Sequence, residues 1–310
     1  MTQNASLKIG TRGSPLALTQ AIETRSLLMA AHGLPEEAFE IVVIKTTADR
    51  IQDRALRDVG GKGLFTREIE NALLDGTIDM AVHCVKDVPV ERPEGLALGC
   101  HLVREDPRDA FVSSRWESLW DLPEGAVVGT SSVRRRAQLL HRRPDLAIVD
   151  FRGNVETRLK KLEDGVAVAT LLAVAGLNRL HMSSAVGRPI DTADMLPAVG
   201  QGALMIERRA DDAHVAELLA PLDDAATGCR MAAERAFLAV LDGSCQTPIA
   251  GLSEIIGDRI HLRGEILRLD GSEVISASGE ADVADAAELG RRLARQLLDQ
   301  TPSDFLVKTL

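Results

Sequence analysis

The sequence predicts two α/β domains followed by a small α+β domain, and three observations carry that expectation. Short apolar runs alternate with stretches of helical period over the first two-thirds of the chain. The alternation occurs as two separate series, with the crossover near EDPRDAF (105–111). From about Asp223 the texture changes to one helix, strand-like runs joined by a turn at LRLDGSEV, and a final helix. A chain of 310 residues also exceeds what one small core organises, so two or three domains are expected.

In the first series, LKIGT (7–11) reads as a strand, PLALTQAIETRSLLMAA (15–31) as a helix and EIVVIKTT (40–47) as a strand. LFTREIENALLDG (64–76) follows as a helix and TIDMAVHC (77–84) as a strand. In the second, strands at 126–130, 146–151 and 166–173 alternate with helices starting after Ser132 and Asn154. Such alternation predicts parallel sheets covered by helices on both faces. Between them, TADRIQDRALRDVGGKG (47–63) has weak periodicity, and a connection this long is usually functional or mobile. The third part opens on a helix over 225–243 and closes on one within ADAAELGRRLARQLLDQ.

Composition narrows the function. A net charge of −10 argues against general nucleic-acid or membrane-surface binding, which needs a positive footprint. Aromatics at 3%, with no Tyr, make stacking on bases an unsuitable binding mode. The N-terminus lacks a basic stretch leading into an apolar one, and no apolar run reaches 18 residues, so a cytoplasmic chain is expected. Cys84, Cys100, Cys229 and Cys245 are far apart, which predicts neither a disulfide framework nor a metal site. Within this acidic chain, Arg134, Arg135 and Arg136 form a local cationic cluster, suited to one specific anion.

Ligands of open parallel sheets sit beyond the C-terminal ends of the strands, where helix N-termini also point. Polar clusters fall at such places. After the first strand, Ser14 is a natural N-cap and Pro15 a natural first helical residue, with Arg12 adjacent. An anion site and a plain capped turn both fit that pair. In GTSSVRRR (129–136), Thr130, Ser131 and Ser132 are cap candidates. The three arginines then oppose the helix dipole, a cost that an anionic ligand would explain. In FRGNVETR (151–158), Arg152 ends a strand, Gly153 permits a tight turn, Asn154 caps the next helix and Arg158 lies one turn in. Arg179, in VAGLNRL, adds to the same basic wall.

In HCVKDVP (83–89), Asp87 is a lone carboxylate among cations, and Pro89 stops the helix. Neutralising its neighbours and stabilising a developing positive charge are equally open to it. His83 reads as a core residue. Cys245, in LDGSCQTPI, lies in a Gly-Ser turn, where a thiol is more available than inside an apolar run such as LALGC.

Taken together, RGSPLAL, GGKGLF, HCVKDVP, EDPRDAF, GTSSVRR, RGNVETRL, LAVAGLNRL, LPAVGQGA and GSCQTPI resemble the porphobilinogen deaminase (hydroxymethylbilane synthase) family, in order and from end to end. The resemblance implies two lobes like those of periplasmic binding proteins, with a return to the first lobe just after VGQGA (199–203). Domain 1 is drawn at 1–104 and 200–220, domain 2 at 105–199 and domain 3 at 223–310. The resemblance also implies a dipyrromethane cofactor held through a thioether at Cys245 and made from the enzyme's own substrate. Four porphobilinogen molecules are then joined head to tail, each losing ammonia, and water releases the linear tetrapyrrole.

Arg12, Arg134, Arg135, Arg152, Arg158 and Arg179 match the family's positions for pyrrole carboxylates. Ser14, Thr130 and Ser132 add neutral donors, and Lys62 and Lys86 add cations. Asp87 and Lys86 match the catalytic positions, with Asp87 offsetting charge at pyrrole nitrogens. No metal, nucleic acid or membrane partner is implied, and a monomer is expected. Cys84 stands where Ser is usual, Ala48 where Gly is common, and Val168 where Asp is more usual. A two-lobed anion-binding module is the main rival, and it leaves Cys245 in a third domain unexplained.

Overall fold

A computed structural model describes residues 6–50, 63–182, 187–243, 247–302 and 305. Contacts divide the chain into two compact units, Met1–Arg104 with Ala203–Gly228, and Glu105–Gly202 with Cys229–Leu310.

The first unit is built on strands β1 (Leu7–Thr11), β2 (Phe39–Val43), β3 (Met80–Cys84), β4 (Leu96–His101) and a late strand, Leu204–Arg209. The sheet runs β2, β1, β3, late strand, β4. Strands β1, β2 and β3 are parallel, as the alternation predicts. The late strand departs from that expectation, pairing antiparallel with both β3 and β4. Helices α1 (Pro15–His32), the short α2 (Thr47–Arg50) and α3 (Arg67–Leu74) connect the early strands.

Side-chain alternation along β3 sorts the core onto two faces. Met80 and Val82 join Ile9 and the α1 residues Ala21 and Leu28 in one cluster. Ala81 joins the α3 residues Ile69 and Leu73 in the other. His83 is buried as expected, its Nε2 3.4 Å from an Oε2 of fully buried Glu207 on the late strand.

The second unit repeats this plan. Its strands are β5 (Asp109–Val112), β6 (Val127–Gly129), β7 (Ala147–Val149), β8 (Ala169–Ala173) and the two-residue β9 (Arg188–Pro189). They lie in the order β7, β6, β8, β5, β9. Again the first three are parallel, and an antiparallel strand, here β5, flanks them. Helices α4 (Val133–Arg142), α5 (Val155–Glu163) and α6 (Val174–Arg179) connect the strands. Leu139 of α4 packs with Phe111, Val128 and Leu171 on one face, while Leu159 and Leu162 of α5 pack against the cluster of Ala110, Val112 and Leu172.

After the late strand, here β10 (Leu204–Arg209), come α7 (Ala213–Leu219) and α8 (Ala225–Val240). The C-terminal sheet is a meander of β11 (Ile249–Ile256), β12 (Arg259–Leu267) and β13 (Val274–Asp282), followed by α9 (Ala286–Asp299). Leu289, Leu293 and Leu297 recur every fourth residue on α9 and meet Phe237 of α8 in a core with Ile260, Leu262 and Ile266. Gly290 makes the helix pair possible, because a Cβ there would lie 2.1 Å from the Ala233 carbonyl oxygen.

Candidate functional site

In the first unit, the parallel run β2, β1, β3 brings three strand ends to one edge of the sheet. Beyond β1, the Ser14 hydroxyl caps α1 by accepting the Ala17 N–H (3.3 Å). Arg12 is half-buried there, paired through two guanidinium nitrogens with Asp49, its plane 4.8 Å over the Phe65 ring. Burial pushes the Asp49 carboxyl up, but hydrogen bonds from Arg12 and Thr46 outweigh it and hold the group below its usual range. Asp49 thus already gives Arg12 an anionic partner.

Beyond β3, Val85–Asp87 make a single 3-10 turn. Buried Val85 and Val88 clamp it from both sides, and the Val85 N–H donates to the Ala203 carbonyl of β10's approach (3.1 Å). Lys86 and Asp87 are left half-buried at the strand end. Among the described residues, Asp87 has no hydrogen-bond or ion-pair partner. Cys84, the departure from the family pattern, takes a hydrogen bond from Gln20 Nε2 (3.2 Å).

The second unit presents the equivalent edge beyond β7, β6 and β8. Thr130 is buried, and its hydroxyl accepts the Ser132 N–H (3.2 Å). Ser132 caps α4 by accepting the Arg135 N–H (3.4 Å). Asn154 caps α5 through the Thr157 N–H (2.8 Å), and Gly153 turns the chain into it at φ +119. Arg152 and Arg158 flank that turn, both half-buried, and Arg158 Nε donates to the Gly153 carbonyl (2.9 Å). Arg179 ends α6 almost buried, one nitrogen 3.3 Å from the Gly202 carbonyl.

Arg134 and Arg135 differ from the sequence expectation. Both are buried, at 4% and 6% exposure, and both pair with fully buried Asp109. Arg134 Nη2 lies 2.8 Å from Asp109 Oδ2, and Arg135 reaches Oδ1 through Nη2 (2.7 Å) and Nε (3.1 Å). The cost of cations in a first helical turn is therefore met inside the protein, by a carboxylate that the sequence reading did not single out. Its signal was an acidic residue opening the apolar run DAFV. Burial pushes the Asp109 carboxyl up, and the two guanidiniums overcome this and hold it far below the usual range.

Arg158 has no such relief. Burial, then the like charges of Arg135 and Arg152, pull its pKa down to about 10. Among the described residues no carboxylate pairs with it. A half-buried cation held beside cations is a site that an incoming carboxylate would stabilise, which is the donor chemistry that a pyrrole acetate or propionate requires. Lys62 and Cys245 lie outside the described residues, Cys245 in the connection between α8 and β11. Among the described residues, no three His, Cys, Asp or Glu side chains gather to hold a metal, and no helix is long and apolar enough to cross a membrane.

Residues 7–217 match the porphobilinogen deaminase dipyromethane cofactor binding domain, and residues 229–299 match the porphobilinogen deaminase C-terminal domain. The chain belongs to the porphobilinogen deaminase family. A porphobilinogen deaminase of Paracoccus denitrificans is 62% identical over 299 residues, covering 96% of both chains. One from Nitrobacter hamburgensis is 53% identical over 297 residues, covering 96% of this chain and 94% of its own. Among solved structures, an ancestral cationic amino acid solute binding protein covers 70% of this chain and 87% of its own, at 15% identity and a TM-score of 0.43.

Proposed function

We propose that this chain condenses four porphobilinogen molecules head to tail, with release of ammonia, into the linear tetrapyrrole hydroxymethylbilane. The observation that carries the reading is Arg158, a cation beside Arg135 and Arg152 with no carboxylate partner among the described residues. Each pyrrole of the substrate and product brings two carboxylates, so a growing chain needs a wall of this kind. Arg152, Arg158 and Arg179 hold ligand carboxylates, with Arg135 adding its field from behind Asp109. Thr130, Ser132 and Ser14 contribute hydroxyl and backbone donors at helix N-termini. Arg12 takes a ligand carboxylate in exchange for Asp49.

The cofactor is a dipyrromethane attached through a thioether to Cys245. When bound, it supplies the pyrrole end onto which the first substrate unit is added, and these basic groups fit its carboxylates. Asp87 hydrogen-bonds pyrrole N–H groups and offsets positive charge that develops as ammonia leaves and the next pyrrole attacks. Its lack of a partner among the described residues supports that role, because the carboxylate remains available to a ligand. Lys86 supplies a neighbouring cation, and Lys62 another. The protein acts in the cytoplasm as a monomer.

An intact-mass measurement of the denatured protein tests the reading. Active protein is expected to exceed its bare chain by two linked pyrrole units, and Cys245→Ser to remove the excess. Active wild-type protein with the mass of the bare chain would overturn it.

A further inference from the structure

We infer that Asp109 is a positioning residue for the carboxylate-binding wall, fixing Arg134 and Arg135 and limiting their net charge to one. The inference rests on the proposed function. Asp109 is fully buried at the start of β5, and three side chains converge on its carboxylate. Arg135 approaches edge-on through Nε and Nη2, Arg134 from the other oxygen at 2.8 Å, and Gln201 Nε2 donates at 2.9 Å.

Each guanidinium is then pinned a second time. Arg135 Nη1 donates to the Leu171 carbonyl (2.7 Å), and Arg134 Nη1 to the Leu196 carbonyl (2.8 Å). A planar group held at two edges has no rotational freedom left. The opposite side of the cluster is incomplete, because Arg134 Nε is buried without a partner among the described residues.

Charge leads to the same role. Two guanidiniums against the Asp109 carboxylate leave one positive charge among these three groups, with Glu265 of β12 also acting on Arg134, and Arg135 acts on Arg158. Without Asp109 the two arginines repel each other and swing apart, and the charge facing a ligand doubles while its geometry is lost. Asp109 does not touch the ligand; it acts through Arg134 and Arg135 alone.

The test compares the full-length wild type with Asp109→Asn, which keeps shape and one acceptor but removes the charge, and with Gln201→Leu. Gln201→Leu strips a neutral donor from the same carboxylate and leaves both arginines paired. For Asp109→Asn, KM for porphobilinogen is expected to rise at least tenfold with kcat within about threefold, and the pyrrole-loaded fraction by intact mass to fall. Gln201→Leu is expected to lower the melting temperature and leave KM and loading unchanged. Unchanged KM and loading in Asp109→Asn, or an equal rise of KM in Gln201→Leu, would make Asp109 merely structural. If Asp109→Asn does not fold, Asp109→Glu is read instead: KM raised at least threefold near the wild-type melting temperature supports positioning, and wild-type KM overturns it. A wild type that neither carries pyrrole mass nor consumes porphobilinogen overturns the reaction itself and this role with it. An active wild type beside an unaltered Asp109→Asn overturns this role alone.

Discussion

Arg158 feels the charge of Arg135, yet of the two only Arg135 pairs with a carboxylate among the described residues. In the protein without ligand, Arg158 is therefore a cation that folding disfavours. Its folded pKa, about 10, lies below the ordinary guanidinium value, so the stability deficit is present at neutral pH and is relieved as pH rises past 10 toward that value. In a Cys245→Ser background, Arg158→Met is expected to melt higher at pH 7.5, with the gain shrinking near pH 11. In the loaded enzyme the same change is expected to raise KM by ~10-fold or more, the worth of one charge-assisted hydrogen bond. Melting curves at the two pH values and steady-state kinetics check both halves; a lower melting temperature at pH 7.5 would contradict the first.

Arg134→Leu and Arg135→Leu are expected to damage folding as well as binding. Either change leaves Asp109 buried beside a single guanidinium. The pair that remains is neutral, so the loss is that of one charge-assisted contact, about 1.5–3 kcal/mol. Urea unfolding of the single variants measures this, and a loss under about 1 kcal/mol would mean that the cluster relaxes by admitting water.

Glu70, buried on α3, is held above its ordinary carboxylate range first by burial and then by the charge of Glu207. The folded state therefore keeps its proton more tightly than the unfolded chain. Stability from this group is intact below about pH 4 and declines as pH rises from the ordinary value through the raised one. Glu70→Gln is expected to melt above wild type at pH 8 and close to it at pH 4. A pH series of melting curves decides, and a variant less stable at pH 8 would show that the charged form is the one the fold uses.

Asp87 separates stability from catalysis. Its turn is held by Val85, Val88 and the Ala203 carbonyl, so the carboxylate contributes little to folding. Asp87→Asn is expected to melt within a degree or two of wild type, while each condensation slows by orders of magnitude. Asp87→Glu keeps the charge but displaces it, giving a smaller defect and partly elongated enzyme intermediates. Single-turnover kinetics with mass detection follow each addition; elongation by Asp87→Asn at the wild-type rate would assign the cation's stabilisation elsewhere.

What the sequence made legible was local. Ser14, Ser132 and Asn154 are recognisable as helix caps from their neighbours alone, and each caps its helix. The parallel strands of both α/β sheets show because an apolar run is visible without knowing its partner. Helix α3 begins at Arg67 rather than 64 because residues 63–66 form turns ahead of it. Pairings across long separations were illegible. Nothing near Leu204–Arg209 says that it lies between β3 and β4, and nothing near Arg135 says that its counter-charge is 26 residues upstream. Arg134 and Arg135 consequently read as ligand groups alone, with nothing to show that they also pair with buried Asp109. The compact first unit resumes at Ala203, one residue before β10 pairing starts at Leu204.

The position of β10 also fixes an order of assembly during synthesis. The first unit's sheet has its fourth strand at Leu204–Arg209, bonded on both sides, so β3 and β4 have no bridge until those residues exist. A ribosome that has made every residue of β1 to β4 still carries an open half-sheet whose edges are unpaired. The whole of 105–202, by contrast, contains all five strands of its own sheet in one continuous stretch. The middle sheet of the chain can therefore close before the first one does, whose edges stay unpaired for the time that about a hundred further residues take to emerge.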